Sequence, residues 1–300
     1  MEKGQHMIIS IASGKGGTGK TTVASNLTAI VGGKITLLDC DVEEPNAHLF
    51  LNPVITGSEK VIAPVPEINA QKCTLCKKCM EVCQFKAIAV VGKAVVTFPE
   101  LCHSCGGCKA ICPEDAVTEV ERVLGHVELG QVDAKEFGAP EDCQIQFAHG
   151  KMDIGQVMAP PIIKQVKGHA GAEGLTLIDA PPGTSCPVIA AMKDTDFVLL
   201  VTEPTPFGLH DLKLAVEAVR LMGLPHGLVI NRAGMGNDEV KSYAREKNVP
   251  ILMEIPFDKR IAQAYSKGEL IVSALPEYRE KFTDLFGKIK RMVDAGRANQ

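Results

Sequence analysis

The sequence predicts an α/β fold, a doubly wound and mostly parallel sheet interrupted by a small α+β insert. Three observations predict it. Short apolar runs without polar alternation, the pattern of strands buried on both faces, recur along the chain and alternate with stretches of helical period. The first run ends in a glycine-rich turn that opens a helix. Eight of the eleven cysteines crowd between residues 73 and 112, where the strand–helix alternation lapses. The 300 residues suffice for one large domain plus such a module. The expected division is 1–63 and 119–300 for the sheet domain, with 64–118 inserted.

Met7 to Ala12 is the first strand. Met7 reads as the natural start, with Met1–His6 an appended segment. Gly14, Lys15, Gly16, Gly17, Thr18, Gly19, Lys20 and Thr21 follow, satisfying G-x-x-x-x-G-K-[ST] between a strand and the helix Val23–Ile30. Glycines let successive backbone N–H groups curl around phosphate oxygens, and the helix N-terminus adds partial positive charge. In this pattern Lys20 reaches the β- and γ-phosphates, the Thr21 hydroxyl ligates Mg²⁺, and Thr22 bonds the α-phosphate. ATP and Mg²⁺ are thus the expected ligands.

Lys34–Asp39 is the second buried strand, and its end carries the acidic run Asp39-Cys40-Asp41-Val42-Glu43-Glu44. The carboxyl ends of such strands form the ligand edge of a doubly wound sheet. Ala63–Glu67, with two prolines, reads as a stiff extended linker.

Beyond it run Cys73-x-x-Cys76-x-x-Cys79-x-x-x-Cys83 and Cys102-x-x-Cys105-x-x-Cys108-x-x-x-Cys112. This internal repeat resembles a bacterial two-cluster ferredoxin. The resemblance implies two [4Fe–4S] clusters, one on Cys73, Cys76, Cys79 and Cys112, the other on Cys102, Cys105, Cys108 and Cys83. Zinc needs four cysteines and no doubling. Gln84 stands where ferredoxins have proline. Gly106 and Gly107 permit a tight wrap, and Lys93–Phe98 is a strand joining the halves. Lys77, Lys78 and Lys109 favour the reduced clusters, dock an acidic partner, or have no role.

Val117–Val132 alternates and returns the chain to the sheet, and prolines at 160 and 161 open a helix. Gly174–Asp179 is a buried strand closed by an acid, so Asp179 is expected to hold Mg²⁺ through water. Ala180-Pro181-Pro182-Gly183-Thr184 follows, with Cys186 just beyond. Phe197–Thr202, Gly227–Asn231 and Ile251–Ile255 complete the strands. The C-terminal stripe of Phe282, Leu285, Phe286, Ile289, Met292 and Val293 has helical spacing and fits a helix covering the sheet.

Lys15, immediately after the first glycine, resembles the deviant phosphate-loop signature of the MinD/ParA/Mrp and nitrogenase iron protein family. The resemblance implies an ATP-bridged homodimer in which Lys15 reaches the partner's phosphates as an arginine finger does. It also implies that Asp41 positions the attacking water, with Asp39 a nearby metal-shell residue. Gly183 senses the γ-phosphate, Asn231 with Arg232 binds adenine, and Pro256 runs along the base. The region 147–164 lacks the cysteine with which the nitrogenase iron protein bridges its dimer. Cys186 reads as a thiol or a further metal ligand, and Cys40 and Cys143 as ordinary thiols.

A net charge of −4 argues against a nucleic-acid-coating surface, and the absence of Trp against a stacking platform. No stretch has the length of a membrane span, so membrane association is not expected. No leader is seen, and the cysteine density then indicates metal in a reducing cytoplasm. The expected function is an ATPase that couples nucleotide state to electron delivery to a redox or metallocluster partner protein. A metallochaperone of the Mrp type and a positioning ATPase of the MinD/ParA type are the alternatives.

Overall fold

The computed structural model describes residues 6–139 and 142–298. Residues 1–5, part of the segment read above as preceding the natural start, lie outside the described residues. The chain runs β1 (Met7–Ser13), α1 (Lys20–Ile30), β2 (Lys34–Asp39), α2 (His48–Leu51) and β3 (Val54–Ile68). Then come α3 (Lys78–Val82), β4 (Ile88–Val91), β5 (Ala94–Thr97), α4 (Gly107–Ala110), β6 (Val117–Val132) and β7 (Gln144–Met152). The remainder alternates: α5 (Ala159–Lys167), β8 (Leu175–Pro182), α6 (Cys186–Met192), β9 (Phe197–Thr202), α7 (Pro206–Leu221), β10 (His226–Ala233), α8 (Glu239–Glu246) and β11 (Ile251–Pro256). It closes with α9 (Lys259–Ser266), α10 (Ile271–Ala274) and α11 (Glu277–Ala298).

Nine strands form one sheet in the order β11-β10-β9-β1-β8-β2-β7-β6-β3. All neighbours from β11 to β7 pair in parallel, whereas β6 is antiparallel to both β7 and β3. The uniformly apolar runs are the central strands: β1, β2, β8 and β9 bury nearly every residue, because helices cover both faces. One apolar layer joins α1, α10 and α11 to the sheet through Val23, Leu27, Phe282, Leu285 and Ile289. The other joins α5, α6, α7 and α8 through Ile162, Val188, Val216 and Val240. The C-terminal stripe is therefore core. Among the described residues no helix is long and apolar enough to cross a membrane.

The reading of Ala63–Glu67 as a linker needs correction. These residues are extended but laddered: Ala63 pairs with Arg122 and Glu67 with Thr118 in the β3–β6 hairpin. Prolines are tolerated there because β3 is the outermost strand of the sheet. β6 leaves β7 at Gly125, opposite Met152, while the hairpin continues through seven further pairs from Ile62–Val123 to Ile68–Val117. At ~3.3 Å per residue this two-stranded arm reaches roughly 20 Å past the carboxyl end of β7. It carries residues 69–116, which hold α3, α4 and the β4–β5 hairpin. The expected strand Lys93–Phe98 is the second strand of that hairpin.

Candidate functional site

The carboxyl ends of β1, β2, β8, β10 and β11 surround a cavity of about 550 Å³, within the range of small-molecule sites. The turn after β1 supplies Gly16, Gly17, Gly19, Lys20, Thr21 and Thr22 to its wall. Gly17 and Gly19 have φ of +76° and +99°, the left-handed region where a side chain is strained. Gly14 is needed for close approach instead, since a Cβ there would fall 2.2 Å from the Asp211 carbonyl oxygen on α7. The Asn231 amide donates to the Thr18 carbonyl oxygen at 2.8 Å, tying the β10 end to the phosphate loop. Asn231, Arg232, Pro256 and Phe257 line the cavity, as do Asp41, Glu43 and Glu44. Glu43 and Glu44 line it while remaining exposed. Gly183 has φ of +100° and donates its N–H to the Ser13 carbonyl oxygen at 3.0 Å, bracing the turn after β8 against the loop.

Two acids on neighbouring strands differ in their partners. Asp39 and Asp179 are adjacent in register and fully buried. Asp39 accepts backbone N–H groups from Asp41, Asn46 and Ala47 at 3.0–3.1 Å, so its oxygens hold the 40–47 loop in shape. That bonding gives it a positioning role beside the metal-shell one expected of it. Neither oxygen of Asp179 has a hydrogen-bond partner among the described residues. The Thr21 hydroxyl is near enough to favour the ionised form without a well-formed hydrogen bond. An unpartnered buried carboxylate beside Thr21 and Lys20 fits a magnesium ion, which takes oxygen ligands and retains waters.

Burial pushes the Asp179 carboxyl up to about 7 against the pull of Lys20, and burial raises Asp41 to about 6. A carboxyl raised in the folded state favours its proton-bound form there. Stability is thus greatest below the unfolded value near 4 and is lost as pH rises through 6 to 7. A magnesium ion held there would replace the proton and remove that loss. We expect the gap in Tm between Mg·ADP-bound and unliganded protein to be wider at pH 8 than at pH 5.5. In Asp179→Asn the change of that gap with pH should largely vanish; an equal gap at both pH values in the wild type would contradict the assignment.

Lys20 is buried and lines the cavity, whereas Lys15 does not. The Lys15 Nζ lies 3.3 Å from Glu203 Oε2, and the other oxygen of Glu203 receives Arg232 at 2.5 Å. Glu203 is only 6% exposed, so one buried carboxylate joins the two cations. Sequence reasoning missed it, although an acid directly after the apolar run 197–202 is the signal that identified Asp39 and Asp179.

On the arm, the cysteines line two separate cavities. One is walled by Cys73, Cys76, Cys79 and Cys112, the other by Cys83, Cys102, Cys105 and Cys108. Each run sends its fourth cysteine to the other cavity. The backbone repeats with the sequence: Leu75 and Ser104, Lys77 and Gly106, and Lys86 and Asp115 all have positive φ, 29 positions apart. Non-glycine residues rarely adopt that conformation. The N–H groups of Ala87 and Ala116 each donate to a cysteine sulfur, Cys83 and Cys112, at 3.3 Å. Among the described residues no three His, Cys, Asp or Glu stand as ligands of a single ion. Four thiols around each cavity, with amides aimed at sulfur, fit a cluster instead. Lys109 is engaged by Glu119 at 2.8 Å, while Lys77 and Lys78 stay exposed beside the first cavity.

The CbiA family model, the CobQ/CobB/MinD/ParA nucleotide binding domain, matches residues 9–271. An uncharacterized protein of Methanocaldococcus jannaschii is 32% identical over 298 residues, covering 96% of this chain and 97% of its own length. An iron-sulfur cluster carrier protein of the same organism is 23% identical over 98% of this chain and 86% of its own. Among solved structures, the septum site-determining protein MinD of Pyrococcus horikoshii, complexed with Mg-ADP, superposes with a TM-score of 0.57. That match covers 95% of this chain and 96% of the other at 22% identity, a likeness of fold alone.

Proposed function

The chain belongs to the CobQ/CobB/MinD/ParA nucleotide-binding family, and on that premise we propose that it is an ATP-hydrolysing dimeric switch carrying two [4Fe–4S] clusters. In this reading the nucleotide state governs electron delivery to a metalloprotein or cluster-assembly partner. The observation that carries it is the pair of four-cysteine cavities on an arm projecting past the nucleotide edge.

The phosphate-loop amides and Lys20 bind the ATP phosphates, and Thr21 and Asp179 would hold Mg²⁺, which supplies charge neutralisation there. Asp41 accepts a hydrogen bond from the attacking water, with its loop fixed by Asp39. Asn231, Arg232 and Pro256 flank the base, and Gly183 lets the turn after β8 follow the γ-phosphate. Lys15 leaves Glu203 to reach the phosphates of the partner's ATP. The eight cysteines would hold the clusters, which supply one-electron storage. The Ala87 and Ala116 amides stabilise charge on sulfur and so favour the reduced state.

Anaerobically prepared protein should contain about eight irons and eight acid-labile sulfides per chain. Stoichiometric zinc without iron would overturn this reading. A cluster carrier is the second reading, favoured by relatives of that name in Methanocaldococcus jannaschii and Pyrococcus abyssi at 23% and 25% identity. Four thiols per cavity favour retained clusters over cargo. Stoichiometric transfer of iron and sulfide to an apo-acceptor would reverse that preference. A positioning ATPase, the third alternative, has no use for the cysteine cavities.

A further inference from the structure

The root of the cysteine-bearing arm is irregular in one place. Between the pairs Val61–Gly125 and Ile62–Val123 the β3–β6 register shifts by one residue, leaving Leu124 as the extra residue of a β-bulge. This is also where β6 parts from β7. Leu124 is buried. Gly125 admits no side chain, because a Cβ would fall 2.1 Å from the Lys151 carbonyl oxygen. The last sheet-bound residue of the hairpin is therefore clamped against β7, and the arm begins at the bulge.

Two lines of contact reach that root from the nucleotide cavity. The first starts next to Asp41 at Val42, and the Val42 carbonyl oxygen accepts the Met152 N–H at 2.8 Å. Met152 stands opposite Gly125, and the next residue, Asp153, donates its N–H to the Leu124 carbonyl oxygen at 3.0 Å. The contact is close-packed: a Cβ on Gly150 would lie 2.6 Å from Val42 and 2.7 Å from Ile162 of α5. The second line starts at α6, which follows the turn containing Gly183. Lys167 of α5 donates to the Ala190 and Ala191 carbonyl oxygens of α6 at 3.0 and 3.1 Å. Gln165 of α5 and His169, just past its end, both meet the Glu59 carboxylate of β3, at 3.0 and 3.1 Å. Val61, Ala63 and Leu124 share the apolar layer of α5.

We propose that the bulge at Leu124–Gly125 is the junction through which the nucleotide-facing loops set the orientation of the cysteine-bearing arm. It rests on the proposed ATPase switch and adds its mechanical route. A displacement of Val42 pulls on Met152 and Asp153, and Asp153 holds the residue at which the ladder has a spare position to absorb the change. Packed cores shift between discrete arrangements, so a small movement at the loop becomes a change of arm angle.

Hydrogen exchange on the full, anaerobically purified chain tests this, comparing Mg·ADP with Mg·AMP-PNP. In the wild type the exchange difference should appear at 39–46 and in both arm strands, 62–68 and 117–124, and should stop at Gly125. Asp153→Pro removes the donated N–H and should abolish the arm difference while the 39–46 difference persists, because the second line bonds β3 at Glu59, paired with Val127 on the sheet side of the bulge. Asp153→Ala keeps the N–H, removes the side chain beside His126, and should behave as wild type. An arm response that survives in Asp153→Pro, or a wild-type difference running on through 126–132, overturns the junction. The wild-type boundary decides even if the proline variant fails to fold. Iron measured on the same samples separates the two levels. A responding arm without iron removes the cluster reading alone, and full iron with an unresponsive arm removes the junction alone.

Discussion

Lys15→Ala is expected to lower the rate of ATP hydrolysis by about 10³-fold or more, the scale of losing a cation that acts across a phosphoryl-transfer site. Nucleotide binding by the single chain should stay within a few-fold of wild type. The expectation follows from the wall of the cavity: Lys20 lines it and Lys15 turns instead to Glu203. Lys20→Ala should show the reverse emphasis, weakening ATP binding itself by roughly 10- to 100-fold as a charged hydrogen bond to phosphate is lost. Fluorescent-nucleotide titration, phosphate release and sizing with ATP on an Asp41→Asn background separate the two. If Lys15→Ala weakens binding as much as Lys20→Ala and sizing shows only monomers, Lys15 serves its own chain and the bridged dimer is wrong. Glu203→Gln adds a check. Releasing Lys15 from its carboxylate should let dimers form at lower ATP concentration, and an unchanged threshold would reduce Glu203 to a structural ion pair.

Cys112→Ser should remove the same cluster as Cys79→Ser, although the two cysteines belong to different runs. Cys83→Ser should remove the other. Each variant should fall from about eight to about four irons per chain, because a [4Fe–4S] cluster lacking one thiolate is readily lost. Paramagnetic resonance of the reduced variants identifies which signal disappears. The basis is the exchange of fourth cysteines between cavities. Loss of one shared signal in Cys83→Ser and Cys79→Ser, with the other in Cys112→Ser, would mean that each run closes on itself.

The sheet domain was legible because its strands are buried on both faces. The run Phe197–Val201 carries no polar break, Ile35–Leu38 only the buried Thr36, and the glycine-rich turn marks one end of the ligand edge. The cysteine repeat was equally legible, since the spacing within each run is a local property, and the eight cysteines line two cavities. The β3–β6 arm was not. Ala63-Pro64-Val65-Pro66 has the composition of a stiff linker, and only pairing with residues more than fifty positions away makes it a strand. Partner identity for Asp39 was also out of reach. Its strand-end position is equivalent to that of Asp179, and which of them accepts amides depends on how the 40–47 loop folds. Glu203 was legible by the rule that found the other strand-end acids, but its partners come from residues 15 and 232.

The central claim is that ATP state and cluster state are coupled, and an anaerobic redox titration tests it most directly. Midpoint potentials would be recorded with no nucleotide, with Mg·ADP, and with Mg·ATP on the Asp41→Asn background. A ligand shifts a conformational equilibrium only through differential affinity for its two states. Closure with ATP should therefore displace the potential of at least one cluster relative to the other two conditions, and Lys15→Ala should erase the displacement. Identical potentials in all three conditions, on protein holding about eight irons, would contradict the account and leave the cysteine module a passive attachment to the ATPase.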